Sequence, residues 1–441
     1  MTQPMSTLSP ASLLHALAEQ AVNDCALTQR GDVALHFADT LIAAFVGQDL
    51  VESQKIRAIE RVNGQDPFDV LSLSASIRMT EIDDIDRASG VTVSAIVVPA
   101  ALSCSSLLTA KSSEFFDALY VGYQCTLKVA LAMGGANLMG KGLWPSYLVA
   151  SLGSAVTIGR MLKLTPVQMK NAMALALAQT PRGVGRSQGD WPGRWLIFGQ
   201  AVERGRLCAH AALNGFEADH DLLTADWLFG IGADQSNVLA LSQDVRVGAI
   251  SFKPYCAAKQ TLSCIGALQK ILQQGLDIAA IDRIEVAVPA AYAAMIDREP
   301  YHVSRLASMV SVKWQLALAA LCPSGLSDSH RQFTQDVTSL ERLMAKVEVT
   351  TEHDLATTYP AQWPGRVKVV AGERQFEEVA HFCDGDPEHG VWAHGHIVDK
   401  ANRFGLEKAQ LDTLEGFLSA PQDDPSFQPR MQQLKAQLAA N

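Results

Sequence analysis

Ser251-Phe252-Lys253-Pro254-Tyr255-Cys256-Ala257-Ala258-Lys259-Gln260-Thr261 divides this chain into two kinds of sequence. Before it the punctuation and period are helical. After it, short alternating runs appear among further helices. Two lysines, a tyrosine and a threonine thus sit on a Pro-containing connector at a predicted domain junction, a favoured place for small-molecule sites. Paired lysines with hydroxyl donors suit a ligand with several carboxylates. The bland alternative is a solvated basic loop.

Upstream, Ser9-Pro10 reads as an N-cap with proline at the first helical position. Thr165-Pro166-Val167-Gln168 is a capping box ahead of an apolar helix. Tyr147 to Leu164 carries Gly153, Ala155 and Gly159 among apolar residues, and predicts a closely packed, buried helix. Phe198 to Leu213 ends at Asn214-Gly215, a C-cap signal. Downstream, Thr261 to Leu276 is an amphipathic helix. Ile281 to Val288 and Val347 to Val349 predict strands, and Val367 to Phe376 a strand, turn and strand. Helical runs are predicted from Val312 to Leu321 and Leu340 to Lys346. From Trp392 to Leu438 the helical pattern returns, interrupted near Pro421 and Pro425. The expected fold is mainly α: a large all-helical domain, residues 1–249 completed by 390–441, plus a smaller α+β lid domain, 250–389.

With 441 residues, 48% hydrophobic and 19% charged, the chain is globular in composition. A net charge of −10 argues against nucleic acid and anionic membrane surfaces as partners. An acidic protein that handles an acidic ligand must gather positive charge locally. None of the eight cysteines forms a C-x-x-C pair, so no zinc or iron–sulfur framework is visible, and a reduced, cytoplasmic compartment is expected. No basic n-region followed by an apolar h-region is seen at Met1 to Ser9, so no signal peptide is expected. The charge-free stretch from Arg87 to Lys111 contains Pro99 and several serines and predicts a buried helix with its connector, not a membrane span.

Several segments resemble the MmgE/PrpD family. Phe37-Ala38-Asp39-Thr40-Leu41 is similar to its L-D-T-L helix. Asp83-Asp84 followed by Val98-Pro99-Ala100-Ala101-Leu102 is similar to its D-D-T-H … P-A-A-L-A segment. Gly142-Leu143-Trp144-Pro145-Ser146 resembles its G-F-H-P-T turn, and Lys253-Pro254-Tyr255 the opening of its K-P-Y-P-x-C-R-H-T-H connector. Ile284-Glu285-Val286 and Gly385-Asp386-Pro387-Glu388 resemble two more signatures. Their order and spacing carry the resemblance over nearly the whole chain. The departures concern histidines. Asp86, Trp144, Gln260 and Leu262 stand at histidine positions of these motifs, Thr92 or Val93 at the histidine of an H-P pair after the first, Arg194 and Ile197 at the lysine and histidine of the family's K-R-L-H segment, and Trp314 at the tyrosine of its S-x-P-Y turn.

The resemblance implies a small di- or tricarboxylate substrate, a homodimer, and dehydratase, decarboxylase or epimerase chemistry. Proton removal beside a carboxylate creates an enediolate-like charge, which needs cations in place beforehand. Lys253 is the candidate base, its pKa to be lowered by neighbouring cations or apolar walls. Asp83 and Asp84 are candidate catalytic carboxylates, with a helix N-cap pair as the plain alternative. Lys259 and Arg194 are candidate carboxylate clamps. Trp144, Tyr255, Gln260, Thr261 and Lys141 complete the predicted substrate-binding set. No cofactor and no metal are expected. His394 and His396 lack an adjacent third ligand and read as a surface turn. Gly183-Val184-Gly185 lacks the third glycine of a dinucleotide loop and reads as a basic active-site loop. Cys256 reads as a small buried apolar residue. Three readings stay open: a lyase, an isomerase or epimerase, and a non-catalytic binding protein.

Overall fold

Thr165 accepts from the Gln168 N–H, and the Gln168 side chain returns to the Thr165 N–H, so the capping box starts the helix Pro166–Ala178. The computed structural model describes residues 10–60, 68–104, 106–181, 191–231, 238–298, 304–331, 337–419 and 423–439. Ser9 and the Gly183-Val184-Gly185 segment lie outside the described residues. The helix Gly193–Leu213 stops at Asn214, with Gly215 in the left-handed region (φ 85°). Backbone bonds from Gly215 to Ala212 and from Phe216 to Ala211 close this end.

Among the described residues there are nineteen α-helices and one four-stranded sheet, so the protein is mainly α with a smaller α+β part. The strands are β1 (Arg283–Val288), β2 (Val347–Thr351), β3 (Gly365–Ala371) and β4 (Arg374–Ala380), in the order β2-β1-β3-β4. β1 runs parallel to β2 and antiparallel to β3, and β3–β4 is a hairpin turning at Gly372-Glu373. Gly372 has φ 59°, a conformation open to glycine without strain.

Two hydrophobic cores meet around the connector. The larger draws on Leu13 through Ile250, on Phe252, Cys256 and Met309, and again on Trp392 through Leu438. The smaller runs from Ala257 to Cys383. The chain therefore leaves the first core within the connector, touches it again at Met309, and returns to it for good at Trp392. Helices pack closely in the first core because small residues face each other. A Cβ on Gly205 would lie 2.2 Å from the Ser151 carbonyl oxygen on the neighbouring helix Pro145–Met161. The helix Ser94–Leu102 is wholly buried, Pro99 included. No single described helix is long and apolar enough to cross a membrane; one bent pair, Arg30–Gln48 with Val51–Ile59, meets that test only in combination.

The connector is pinned on both sides. Ser251 forms an antiparallel bridge with Ile85. Phe252 N–H donates to the Gly385 carbonyl at 2.9 Å, and a Cβ on Gly385 would lie 2.4 Å from the Phe252 oxygen. Arg403 on the returning tail donates to the Pro254 carbonyl at 3.2 Å.

Candidate active site

The connector delivers Lys253 and Lys259 to one cleft between the two cores. Ala258 precedes the helix Lys259–Gln273, so Lys259 and Gln260 stand at its first turn. From the other side come Arg78 at the end of the helix Val70–Met79, Glu81 just beyond it, Trp144 before the helix Pro145–Met161, and Arg194 at the start of Gly193–Leu213. Thr92, Met139, Met295 and Val310 complete much of the lining. The cleft has about 410 Å³ of unfilled space including its mouth, but inside there is room for only about one water molecule, about 20 Å³.

Charge is concentrated and paired. Lys253 Nζ lies 3.1 Å from Glu81 Oε2 and 3.4 Å from Asp83 Oδ1. Arg78 holds both Asp83 oxygens at 2.5 Å and approaches Glu81 at 3.6 Å. Arg194 reaches Glu81 at 4.0 Å, and its guanidinium lies over the Trp195 ring at 4.1 Å and the Trp144 ring at 5.4 Å. Lys259 Nζ lies 2.6 Å from Asp386 Oδ1 and 2.7 Å from Cys383 Sγ.

These pairings displace the titrations. Burial alone would raise the Glu81 carboxyl, but Lys253, Arg78 and Arg194 overcome it and hold Glu81 at about 2. Burial raises Asp83, and Arg78 and Lys253 oppose this without cancelling it. Burial would lower Lys259, yet Cys383 and Asp386 raise it; Asp386 is correspondingly lowered, Lys259 and Arg87 outweighing its burial.

Of the residues singled out in the sequence, Lys253, Lys259, Arg194, Trp144 and Gln260 line this cleft together. Gln260 turns its amide toward the sulfurs of Met139 and Met295, at 4.0 and 3.9 Å. Asp83 stands behind the lining, as the partner of Arg78 and Lys253.

Four placements correct the expectation. Asp84 turns away into the helical core, where it lies 2.8 Å from His36 Nδ1 and accepts from the Ser94 N–H at 3.2 Å and the Ser94 hydroxyl. It thereby caps a helix that starts ten residues later. Thr261 Oγ1 donates to the Ala258 carbonyl within its own first turn and is fully buried. Tyr255 packs against the second core, with Gln269 at 3.4 Å from its hydroxyl and Arg403 over its ring. Lys141 is exposed at the end of a short 3-10 turn, outside the cleft lining. The surroundings of Lys253 are also corrected: its direct partners are carboxylates, not a crowd of cations.

Arg78 and Glu81 were not foreseen. The available signal was two charges, three residues apart, closing the apolar run Val70 to Ile82. Charges in such a run are rarely buried without partners.

The N-terminal-domain model of the MmgE/PrpD family matches residues 11–237, and its C-terminal-domain model matches 255–404. The chain belongs to the MmgE/PrpD family. The cleft thus lies among residues drawn from both MmgE/PrpD segments. Two curated relatives, both cis-aconitate decarboxylases of Aspergillus terreus (one from strain NIH 2624 / FGSC A1156), are each 27% identical over 150 residues. That is 33% of this chain and 30% of each relative, so the match spans less than a third of the relatives' length.

Proposed function

We propose that this MmgE/PrpD protein is a cofactor-independent enzyme of small di- or tricarboxylates, with a lyase outcome, dehydration or decarboxylation. The observation that carries this reading is the set of four cationic side chains, Arg78, Arg194, Lys253 and Lys259, lining one cleft in a protein of net charge −10. Membership of the family, and the name borne by the two Aspergillus terreus relatives, support the lyase outcome by analogy.

In this reading Lys259 and Arg194 bind carboxylates, Gln260 orients a polar substituent, and Trp144 with the two methionines forms the apolar wall. For dehydration, Lys253 is the group placed to take the proton beside a carboxylate. The electron pair left on carbon is held by the flanking cations until the carbon–oxygen bond breaks, and the departing hydroxyl takes the proton back from Lys253 and leaves as water. For decarboxylation the carbon–carboxylate bond breaks, carbon dioxide leaves, and the Lys253 ammonium returns a proton to the carbon. Asp83, 3.4 Å from Lys253, positions that lysine.

A second reading, epimerisation of a small dicarboxylate, is favoured by one observation: among the described residues no histidine lines the cleft. Epimerisation needs the same cation clamp but no acid for a leaving group. A homodimer is also proposed. Ile197, Leu207 and Leu213 on the helix Gly193–Leu213, with Phe216 beyond it, are exposed apolar side chains that a second copy would cover.

The test is a panel of small polycarboxylates, including cis-aconitate, incubated in deuterium oxide and followed by NMR. The expected result is loss or exchange of a carbon-bound group on one acid, abolished in Lys253→Ala. A panel without any turnover or exchange, at enzyme concentrations that saturate binding, overturns the enzyme reading. Exchange with inversion at carbon, and without loss of water or carbon dioxide, distinguishes the epimerase from the lyase.

A further inference from the structure

Glu81 is the only carboxylate among the described residues lining the cleft, and it sits beside the cations that an anionic ligand would engage. Its side chain reaches Lys253 at 3.1 Å, Arg78 at 3.6 Å and Arg194 at 4.0 Å, three of the four cations that face the space. The remaining room, about one water, does not admit a dicarboxylate while Glu81 holds this position. Its backbone has φ 55°, a left-handed conformation that a side chain-bearing residue adopts rarely. The neighbours fix that conformation, since the Glu81 carbonyl accepts from the Ala257 N–H at 3.3 Å and from Lys253 Nζ at 3.4 Å. Asp83, by contrast, is committed to Arg78 through both oxygens and does not line the cleft.

We propose that Glu81 is an internal counter-ion that occupies the seat of a substrate carboxylate, and that ligand binding proceeds by exchange of one carboxylate for the other. This inference rests on the polycarboxylate reading of the same cleft and adds the residue that sets its selectivity. A buried cluster of cations without Glu81 would carry uncompensated charge in the empty protein. Glu81 adds a second negative charge to that of Asp83 against the three cations, and a ligand binds only if its own carboxylate outcompetes a tethered one. A monocarboxylate makes that exchange at one position and gains little. A di- or tricarboxylate also engages Lys259 and Gln260, which line the same cleft, and repays the displacement. Glu81 thereby favours polyacids over the abundant small monoacids.

The test uses malonate and acetate as probes, read by the fluorescence of Trp144 and Trp195 beside Arg194. Glu81→Gln removes the competing charge, and Glu81→Gly removes the side chain while suiting φ 55°. Both variants are expected to bind malonate at least tenfold tighter than the unaltered protein. Acetate is expected to bind Glu81→Gly detectably and to raise its melting temperature, filling the vacated seat, with no such effect on the unaltered protein. Should either variant fold poorly, rescue of its melting temperature by acetate or malonate gives the same answer. Equal malonate affinity in all three proteins, or no acetate effect on Glu81→Gly, overturns the exchange while leaving the anion cradle standing. Malonate binding to none of them overturns the cradle as well. Tighter binding in the variants supports the exchange whether or not a turned-over substrate has been found.

Discussion

Lys400 and Asp39, 361 residues apart in the chain, form an ion pair at 2.5 Å with both side chains fully buried. Lys400 also donates to the Ile82 carbonyl at 2.7 Å, one residue before Asp83. The tail helix His394–Arg403 is thereby anchored to the helix Arg30–Gln48 and to the strand of chain that carries the carboxylates of the cleft. Lys400→Met leaves Asp39 buried and unpaired, and is expected to cost about 3–5 kcal/mol. The double variant Lys400→Met, Asp39→Leu is expected to recover most of that loss. Urea titrations of the three proteins measure it, and equal stability of single and double variants would show the pair to be unimportant.

Glu81 predicts an acid-side dependence of stability. Its folded-state pKa of about 2 lies below the ordinary value of 4.5, so folding favours the ionised form. Below pH 4.5 the unfolded chain takes up a proton that the folded protein does not. The contribution is present in full above that pH and is lost as pH falls toward 2. Its size is roughly 3 kcal/mol. The stability difference between the unaltered protein and Glu81→Gln should therefore shrink over this window; a constant difference would contradict the pairing.

Lys259 is tied to Asp386, which also holds the Ser251 hydroxyl at 2.6 Å, the Cys383 N–H at 2.9 Å and Arg87 at 3.7 Å. Lys259→Met is expected to raise KM by about one to two decades, the value of a charged hydrogen bond of roughly 1.5–3 kcal/mol. A smaller change in kcat should accompany it. Steady-state kinetics with a turned-over acid decide this, and a fall in kcat alone would move Lys259 from binding to chemistry.

Gly205→Ala inserts a methyl against the Ser151 carbonyl at 2.2 Å and the Ser154 Cβ at 2.5 Å. Both contacts are to the facing helix Pro145–Met161, whose backbone cannot yield locally. Overpacking of this kind is expected to cost about 1–3 kcal/mol or more. Thermal melts check it; an unchanged melting temperature would mean that the two helices slide apart at little cost.

The fold was legible wherever local chemistry decides it. The Thr165 capping box, the Asn214-Gly215 stop, the helix Val312–Leu321 and the alternation before Pro289 are local signals, and each appears in the structure as an element or its boundary. In the site, the connector lysines were legible because two cations beside Pro254 are conspicuous in an acidic chain. Direction was not legible. Asp83 and Asp84 are adjacent, yet one faces Lys253 and the other His36, a choice made by the tertiary partners on either side of this bend. Tyr255 and Thr261 belong to the same connector but spend their hydroxyls on structure, a choice made by tertiary packing. Glu81 escaped notice because two of its three cationic neighbours, Arg194 and Lys253, come from distant segments. His396, read as part of a surface turn, instead accepts from the Ala393 N–H at 3.0 Å and starts the tail helix.

The return of the chain to its first core at Trp392 has a consequence for synthesis on the ribosome. When residues up to Ile250 have emerged, Asp39 is already part of the nascent helical layer, but its counter-charge is not yet translated. The whole sheet region must appear before Lys400 does. Vectorial folding therefore cannot finish the helical layer in one pass. Until the tail arrives, the surface later covered by Ile397, Leu414, Phe417 and Met431 is open and apolar, a natural landing place for a chaperone.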